Sequence, residues 1–352
     1  MLKQQALAGV IVGACVLAVA SAGYAQQGRG GRGGAGGRPQ FPTAEQFAQS
    51  PGAKKHSEAA AAIAGSDPYL QRAQQRFCSA TGPLRAALER RAAGLPAVED
   101  HLLEPTKVFD NLYYFGFTDV GAWAINTSDG IILFDGLNNE EEARDVIIGG
   151  LRKVGLDPAR IKHLIVGHGH NDHTGGALHL QETYRVPVYM GGPDWELVER
   201  NTNPERPQPR RSQVVTNGQT ITLGDTTITL MLTPGHTPGT LAAIVPVKHN
   251  GKPHTVLILS GSQMPTSASA DSFQRLFEAG KAAHAESALG GHPDILVNTT
   301  DAMDELRKQY PRGDAHPYLL GEETFNRWSQ IMVECGRARV AALDENYPPA
   351  AR

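Results

Sequence analysis

The sequence predicts an α/β protein in which two β-sheets are sandwiched between helices, and three observations carry that expectation. From Val108 onward, short apolar strand candidates alternate with helical stretches, and a second run of strands follows between Thr220 and Ser260. Of the 352 residues, 40% are hydrophobic and 20% charged, enough apolar material for a large core. In the first set, residues 112–117 and 121–126 read as strands, and Thr127-Ser128-Asp129-Gly130 as the turn into Ile131-Ile132-Leu133-Phe134. Residues 140–154 have helical spacing, 161–166 form a nearly all-apolar strand, 174–184 read as a helix and 186–190 as a further strand. The second set comprises residues 220–223, 226–233, 240–247 and 255–260.

Ahead of these elements the chain changes character three times. Residues 1–25 have the layout of a secretory signal peptide: Lys3 as the positive charge, an apolar run from Ala6, and small residues that allow cleavage after Ala22 or Ala25. That layout implies an exported, periplasmic or secreted protein with no stable membrane span once the segment is removed, the apolar run being short for a span of about 20 residues. An uncleaved anchor and a lipoprotein modified at Cys15 are weaker readings of the same residues. Residues 26–42 form a Gly/Arg-rich flexible linker that cannot bury a core. Residues 43–104 are expected to be a helical N-terminal extension, with Asp67 as an N-cap and a break at Thr81-Gly82-Pro83. The catalytic domain is expected over residues 105–345.

Charge and cysteine content narrow the function classes. With 33 Lys plus Arg against 36 Asp plus Glu, a net charge of −3 and both signs interspersed, the chain has no electrostatic footprint for nucleic acid. A small-molecule substrate is the expected partner. Once Cys15 leaves with the signal segment, Cys78 and Cys335 remain. An even pair in an oxidising compartment is compatible with a bridge. Two buried thiols fit the same positions equally well, because sequence does not supply the Cα separation.

Three of the 13 histidines fall within six residues, in Val166-Gly167-His168-Gly169-His170-Asn171-Asp172-His173-Thr174. The preceding strand runs out at Gly167, and the loop then presents imidazole, imidazole, carboxylate and imidazole before a helix begins. Histidines repel one another when charged and are costly to bury unpaired, so a structural role does not explain the cluster. Zinc suits the set, since it binds neutral imidazole and carboxylate at about 2.0–2.2 Å. A second turn, Thr233-Pro234-Gly235-His236-Thr237-Pro238-Gly239, presents one more histidine. His168, His170 and His236 then form a three-imidazole set with a fourth position open for water.

These motifs resemble the metallo-β-lactamase superfamily over residues 107–342. The anchors are Phe134-Asp135-Gly136, the His168–His173 loop, Thr233-Pro234-Gly235-His236-Thr237 and Leu259-Ser260-Gly261-Ser262. The resemblance implies an αβ/βα sandwich of two mixed β-sheets flanked by helices, with a two-metal site at one edge. It implies that His168, His170 and His236 hold the first metal and that Asp172 and His173 help hold the second. Asp135 would brace the metal loop from behind. Glyoxalase-II-like and ribonuclease-like members carry an aspartate where this chain has Ser262, and serine is similar to the third metallo-β-lactamase subclass, as is His316-Pro317-Tyr318-Leu319-Leu320-Gly321.

That subclass completes its second site with a late histidine after a strand of the type Asp-Ile-Leu-Val-Asn. Here residues 294–298 carry that pattern and are followed by Thr299. His292 lies seven residues before Thr299, at the opposite end of such a strand and roughly 23 Å away, so it is not expected to reach. The expectation is one tightly bound zinc and a weakened second site. The implied chemistry is zinc-dependent hydrolysis, a metal-bound hydroxide attacking a cyclic amide or ester carbonyl. Asp172 would orient the nucleophile and Ser262 would position a water or a substrate carboxylate. Tyr114, Phe115, Phe117 and Trp195 either line a pocket or pack the core. Two alternatives share the site: a lactonase, esterase or other amide hydrolase, and a degraded metal-binding protein without turnover, which rests on Thr299.

Overall fold

The structure, a computed structural model, describes residues 39–82, 101–292 and 315–347. Residues 1–25, most of the linker, residues 83–100 of the expected helical extension, the strand expected at 294–298 and Thr299 all lie outside the described residues.

One sheet has seven strands in sequence order: β1 (Leu102–Lys107), β2 (Leu112–Phe117), β3 (Gly121–Asn126), β4 (Ile131–Phe134), β5 (Ile161–Ile165), β6 (Val188–Gly191) and β7 (Gln213–Val215). Neighbours are antiparallel from β1 to β4 and parallel from β4 to β7. The parallel β4–β5 pair needs a crossover, which a helical run of Glu140–Glu142, Ala143–Ile148 and Gly149–Lys153 supplies. The second sheet contains β8 (Gln219–Leu223), β9 (Thr226–Leu232), β10 (Leu241–His249), β11 (Lys252–Leu259) and β12 (Ala285–Gly290), in the order β12-β11-β10-β9-β8. Only β12 runs parallel to its neighbour β11. β10 and β11 are joined by Asn250-Gly251, both at positive φ (50° and 74°), the backbone that a two-residue hairpin of matching twist requires.

Alternation along the central strands builds three apolar layers. Trp123, Ile125, Ile132 and Phe134 meet Leu241, Ala243, Val245, Val256 and Ile258 between the sheets. The alternate residues of β3 and β4, Ala122, Ala124, Ile131 and Leu133, face Ile147, Leu151, Leu180 and Trp195 in the helices outside the first sheet. Ala242, Ile244, Leu257 and Leu259 turn to helices on the other side. This is the expected αβ/βα sandwich of two mixed sheets, and β3, β4 and β10 read as nearly continuous apolar sequence because both of their faces are covered.

The outer layer on the second sheet unites the first and last described segments, residues 39–82 and 315–347. α1 (Ala44–Gln49), α2 (Pro51–Ala64) and α3 (Pro68–Phe77) carry side-chain caps at Thr43, Ser50 and Asp67; Asp67 accepts from Tyr69 N and Leu70 N. α3 buries Leu70 and Phe77 against Trp328 and Phe325 of the C-terminal helix Glu322–Asn346. Cys78, at the end of α3, is disulfide-bonded to Cys335 with a Cα–Cα distance of 4.5 Å, so of the two readings of this pair the bridge holds. Beside it, buried Arg339 donates to the Phe77 carbonyl, and burial pushes the guanidinium down to about 10.

Closing a loop across a sequence separation of 257 removes much of the unfolded chain's freedom. Replacing Cys335 with Ala is therefore expected to destabilise the protein by about 2–5 kcal/mol and lower Tm by roughly 5–15 °C. Thermal melts of parent and variant, each with and without reductant, check this. Reductant should lower the parent's Tm and leave the variant's unchanged.

Candidate metal centre

At one edge of the sandwich three backbone and side-chain contacts clasp the sheets together. Leu241 N–H, opening β10, donates to the Gly167 carbonyl just past β5 (2.7 Å). Trp123 Nε1 of β3 donates to the Gly290 carbonyl ending β12 (3.1 Å), and Gly121 N–H to the Gly291 carbonyl (2.9 Å). The histidine-bearing loops leave their strands at this clasped edge.

The loop after β5 is fixed from behind by Asp135. This residue follows β4, sits at φ 72° and is fully buried. Its Oδ1 accepts from Gly167 N–H at 2.7 Å and its Oδ2 from His173 Nδ1 at 2.8 Å. One carboxylate therefore holds both the entry of the loop and the short helix α4 (Asn171–Thr174) that ends it. Donating from Nδ1 leaves the Nε2 lone pair of His173 pointing away from Asp135.

Three imidazoles converge in the first set. His168 Nε2 lies 3.1 Å from His170 Nδ1, and His170 Nδ1 lies 2.9 Å from His236 Nε2. Ligands held tetrahedrally at about 2.0–2.1 Å from one ion are separated by roughly 3.3 Å, so these nitrogens are spaced to share a cation. His236 donates from Nδ1 to Gln263 Oε1 at 2.9 Å, which leaves Nε2 as the acceptor facing its neighbours. Gln263 Oε1 also accepts from the Gln40 amide. His168 is buried, His236 partly so, and His170 is exposed, so the set opens to solvent on the His170 side.

Asp172, His173 and His292 converge in the second. Asp172 Oδ2 lies 3.4 Å from His173 Nε2 and 3.3 Å from His292 Nε2, and the two Nε2 atoms are 3.1 Å apart. His292 donates from Nδ1 to the Asp119 carbonyl at 2.6 Å, again freeing Nε2. The two sets are adjacent: ligand atoms of His168, Asp172 and His173 all lie within 4.8 Å of one another. The donor chemistry and spacing fit two divalent cations side by side.

The electrostatics of the two sets differ. Burial, then the neighbouring imidazoles, pushes His168 well below its ordinary value, and burial with His170 brings His236 down to about 4. Burial lowers His170 as well. The first set is thus neutral and ready to donate electron pairs at neutral pH. In the second set burial opposes charge, but Asp135 and Asp172 together outweigh it and push His173 up to about 9. Burial likewise works against ionised Asp172, and His173 and His292 overcome it, holding the carboxyl far below its usual range. Without a metal, a proton on His173 supplies the positive charge that these carboxylates attract.

His292 corrects the sequence reading. The strand that delivers it is β12, Ala285–Gly290, whose small residues Ala285, Ser287, Ala288 and Gly290 carry little strand signal, whereas residues 294–298 look far more strand-like. Parallel pairing of Leu259 with Gly290 carries the chain to the clasped edge, and His292 follows two residues later. The roughly 23 Å separation assumed a strand starting after His292, and the weakened second site followed from that register. The second set has three protein groups, so the argument for a single tight zinc falls.

The other expected positions divide. Ser262 is buried between Gly261, where a Cβ would come within 2.7 Å of the His236 Cβ, and Gln263, which accepts from His236. Tyr114, Phe115 and Trp195 are fully buried core residues and Phe117 packs partly buried beside them, so the pocket reading of these aromatics is replaced by the core reading. The sequence reading missed Gln263 and Asp194. Asp194, in the first turn of the helix Gly192–Glu199, accepts hydrogen bonds from both metal loops. Nothing in its sequence surroundings marks it.

Comparison with known proteins agrees with this geometry. A family model described as "Metallo-beta-lactamase superfamily" matches residues 116–246. Among solved structures, BJP-1, a subclass B3 metallo-beta-lactamase of Bradyrhizobium japonicum, is 27% identical, with a TM-score of 0.53 over 64% of this chain and 90% of that one. Residues 116–246 thus carry a metallo-beta-lactamase domain, set in a fold shared with subclass B3 structures. The FEZ-1 metallo-beta-lactamase from Legionella gormanii shares the superfamily fold at 20% identity, with a TM-score of 0.54 over 66% of this chain and 93% of that one. Probable metallo-hydrolase YybB of Bacillus subtilis is 29% identical over 128 residues, 34% of this chain and 54% of the relative. N-acyl homoserine lactonase AttM of Rhizobium radiobacter is 27% identical over 175 residues, 47% of this chain and 59% of the relative. The chain spans a little over half the length of these two curated relatives.

If His292 completes the second set, His292→Ala should weaken the second of two bound metals by about 10–100-fold and leave the first unchanged. Zinc titration against a competing chelator reads both stoichiometry and affinity. Two equally tight ions in the variant would remove His292 from the set.

Proposed function

We propose that the protein is an exported zinc-dependent hydrolase of the β-lactamase type, which adds water at the carbonyl of a cyclic amide and opens the ring by breaking the C–N bond. The observation that carries this reading is the pairing of Ser262 with His292. Serine after the glycine of Leu259-Ser260-Gly261-Ser262, together with a late histidine beside Asp172 and His173, is the combination similar to the third metallo-β-lactamase subclass. With His292 in reach, the degraded-site reading loses its support.

The metal, when bound, supplies Lewis-acid polarisation of a carbonyl and a water acidic enough to react near neutral pH. The protein's own groups do the rest. Asp172 Oδ1 is buried and has no hydrogen-bond partner among the described residues, which suits it to accept a hydrogen bond from the attacking water and orient it. The neutral imidazoles of the first set hold no proton that would compete with an incoming cation. Asp135 keeps His173 in the tautomer with Nε2 free. Ser262, by its likeness to the third-subclass serine, would position a water or a substrate carboxylate. Export is supported by the signal-like residues 1–25 and by the Cys78–Cys335 bridge, which suits an oxidising compartment. Three imidazoles and a two-set site support zinc.

A second reading keeps the same machinery for a lactone, and the likeness to AttM, whose name gives it as an N-acyl homoserine lactonase, favours it. A chromogenic cephalosporin assay separates the two. Turnover that is lost with chelator and restored by zinc is expected for the cyclic amide, and turnover of lactones alone would move the assignment to the second reading. Zinc-loaded protein that turns over neither would overturn hydrolysis.

Two further outcomes are expected. His168→Ala or His236→Ala should remove most of the bound metal and lower the rate at least 100-fold, because each takes away one of three fixed donors; a variant with full zinc content and full rate would contradict the ligand assignment. The protein recovered from the exported fraction should begin at Gly23 or Gln26, which N-terminal sequencing reads directly. An intact Met1 there would count against cleavage.

A further inference from the structure

We propose that Asp194 is a positioning residue for the first metal, holding the His168/His170 loop and the His236 loop at the separation that lets their imidazoles share one ion. The proposal rests on the metal-centre reading above and extends it to a residue outside both ligand sets.

Asp194 is fully buried and forms no ion pair with Lys or Arg among the described residues. Three donors satisfy its carboxylate. Gly169 N–H, from the residue between His168 and His170, donates to Oδ2 at 2.8 Å. Thr237 Oγ1–H, from the residue after His236, donates to the same oxygen at 2.5 Å. Gly239 N–H donates to Oδ1 at 2.8 Å. The two loops come from different sheets and are 66 residues apart at His170 and His236, yet one side chain accepts from both. Each of these bonds is charge-assisted and therefore short and directional, and an uncompensated buried carboxylate would be expensive.

The loops are shaped to receive this carboxylate. A Cβ at Gly239 would fall 2.8 Å from Asp194 Oδ1 and 2.7 Å from Asp194 N. At Gly169 it would fall 3.3 Å from the Asp194 Cβ. Thr237 is locked in turn, its N–H donating to Thr240 Oγ1 at 2.9 Å and its Oγ1 lying 2.8 Å from the same atom. His236 is thus tied on its C-terminal side through Thr237 and Gly239, and His170 through Gly169. A shift of one loop relative to the other that changes the 2.9 Å His170–His236 spacing also strains a hydrogen bond to Asp194.

Asp194→Asn keeps the shape and removes the match. One oxygen becomes an NH2 group facing a fixed backbone N–H, from Gly169 or from Gly239 according to the amide's orientation. First-site zinc affinity should fall about 10–100-fold, the range seen when groups bracing metal ligands are changed. The cobalt-substituted variant should show altered ligand-field absorption, since the three nitrogens no longer hold their parental geometry. Thr237→Val, which removes one donor at nearly constant volume, should weaken zinc by about tenfold, and Thr237→Ser, which keeps the hydroxyl, should restore the parental value. Affinity is measured on the full chain by competition with a zinc chelator, and circular dichroism establishes that each metal-free variant is folded.

A folded Asp194→Asn variant with parental zinc affinity and an unchanged cobalt spectrum overturns the proposal. If that variant does not fold, the threonine pair decides, and equal affinity in Thr237→Val and Thr237→Ser overturns it. A parent chain that binds no zinc brings down the metal-centre reading and this proposal with it. Parental zinc binding that survives both substitutions defeats this proposal alone.

Discussion

The structure turns on the hydrogen bonds that the buried Asp135 carboxylate accepts from Gly167 N–H and His173 Nδ1. A charge with no solvent exposure must be matched by donors or by a cation, and Asp135 is matched by groups at the two ends of one loop. That arrangement sets the loop's exit angle from β5 and the tautomer of His173. It also makes the second set a place where positive charge is wanted, whether from a proton on His173 or from a metal ion. Asp135 itself can sit there only because the backbone after β4 turns through a left-handed residue, which directs its side chain back under the loop.

The sandwich serves this edge. Period-2 alternation lets Trp123 fill the space between the sheets while its Nε1 donates to Gly290, so the side chain that packs the core also anchors the turn that carries His292. Helices cover both outer faces, and α3 meets the C-terminal helix Glu322–Asn346 in one of those layers, joined by the Cys78–Cys335 bridge. The metal groups come from loops at strand ends, while the strands below them are fully packed and leave the loops little freedom to drift. Two sheets held rigidly at one edge bring His170 and His236 to within 2.9 Å across a sequence separation of 66 residues.

Much of this was legible in the chain. The strands with β-branched and aromatic residues, such as β3, β4, β10 and β11, announced themselves, and so did the Thr127-Ser128-Asp129-Gly130 turn and the N-cap at Asp67. The histidine loop was legible because its residue types have no structural excuse at that spacing. Elements of small or few residues were not: β12 is Ala-Glu-Ser-Ala-Leu-Gly, and β7 has three residues. A parallel neighbour and helix packing make β12 a strand, and neither leaves a mark in local composition.

By itself the sequence determined the fold class, the period of each strong strand and a loop carrying three imidazoles and a carboxylate, since these follow from residue type and spacing alone. Only the tertiary structure decided which late histidine meets Asp172 and His173, whether the two cysteines meet, and that Asp194 accepts from both ligand loops. Those are contacts between residues 25 to 257 positions apart, and their existence depends on strand register and sheet closure. A shift of register by a single residue turns every side chain to the opposite face, so no local pattern can stand in for the folded register.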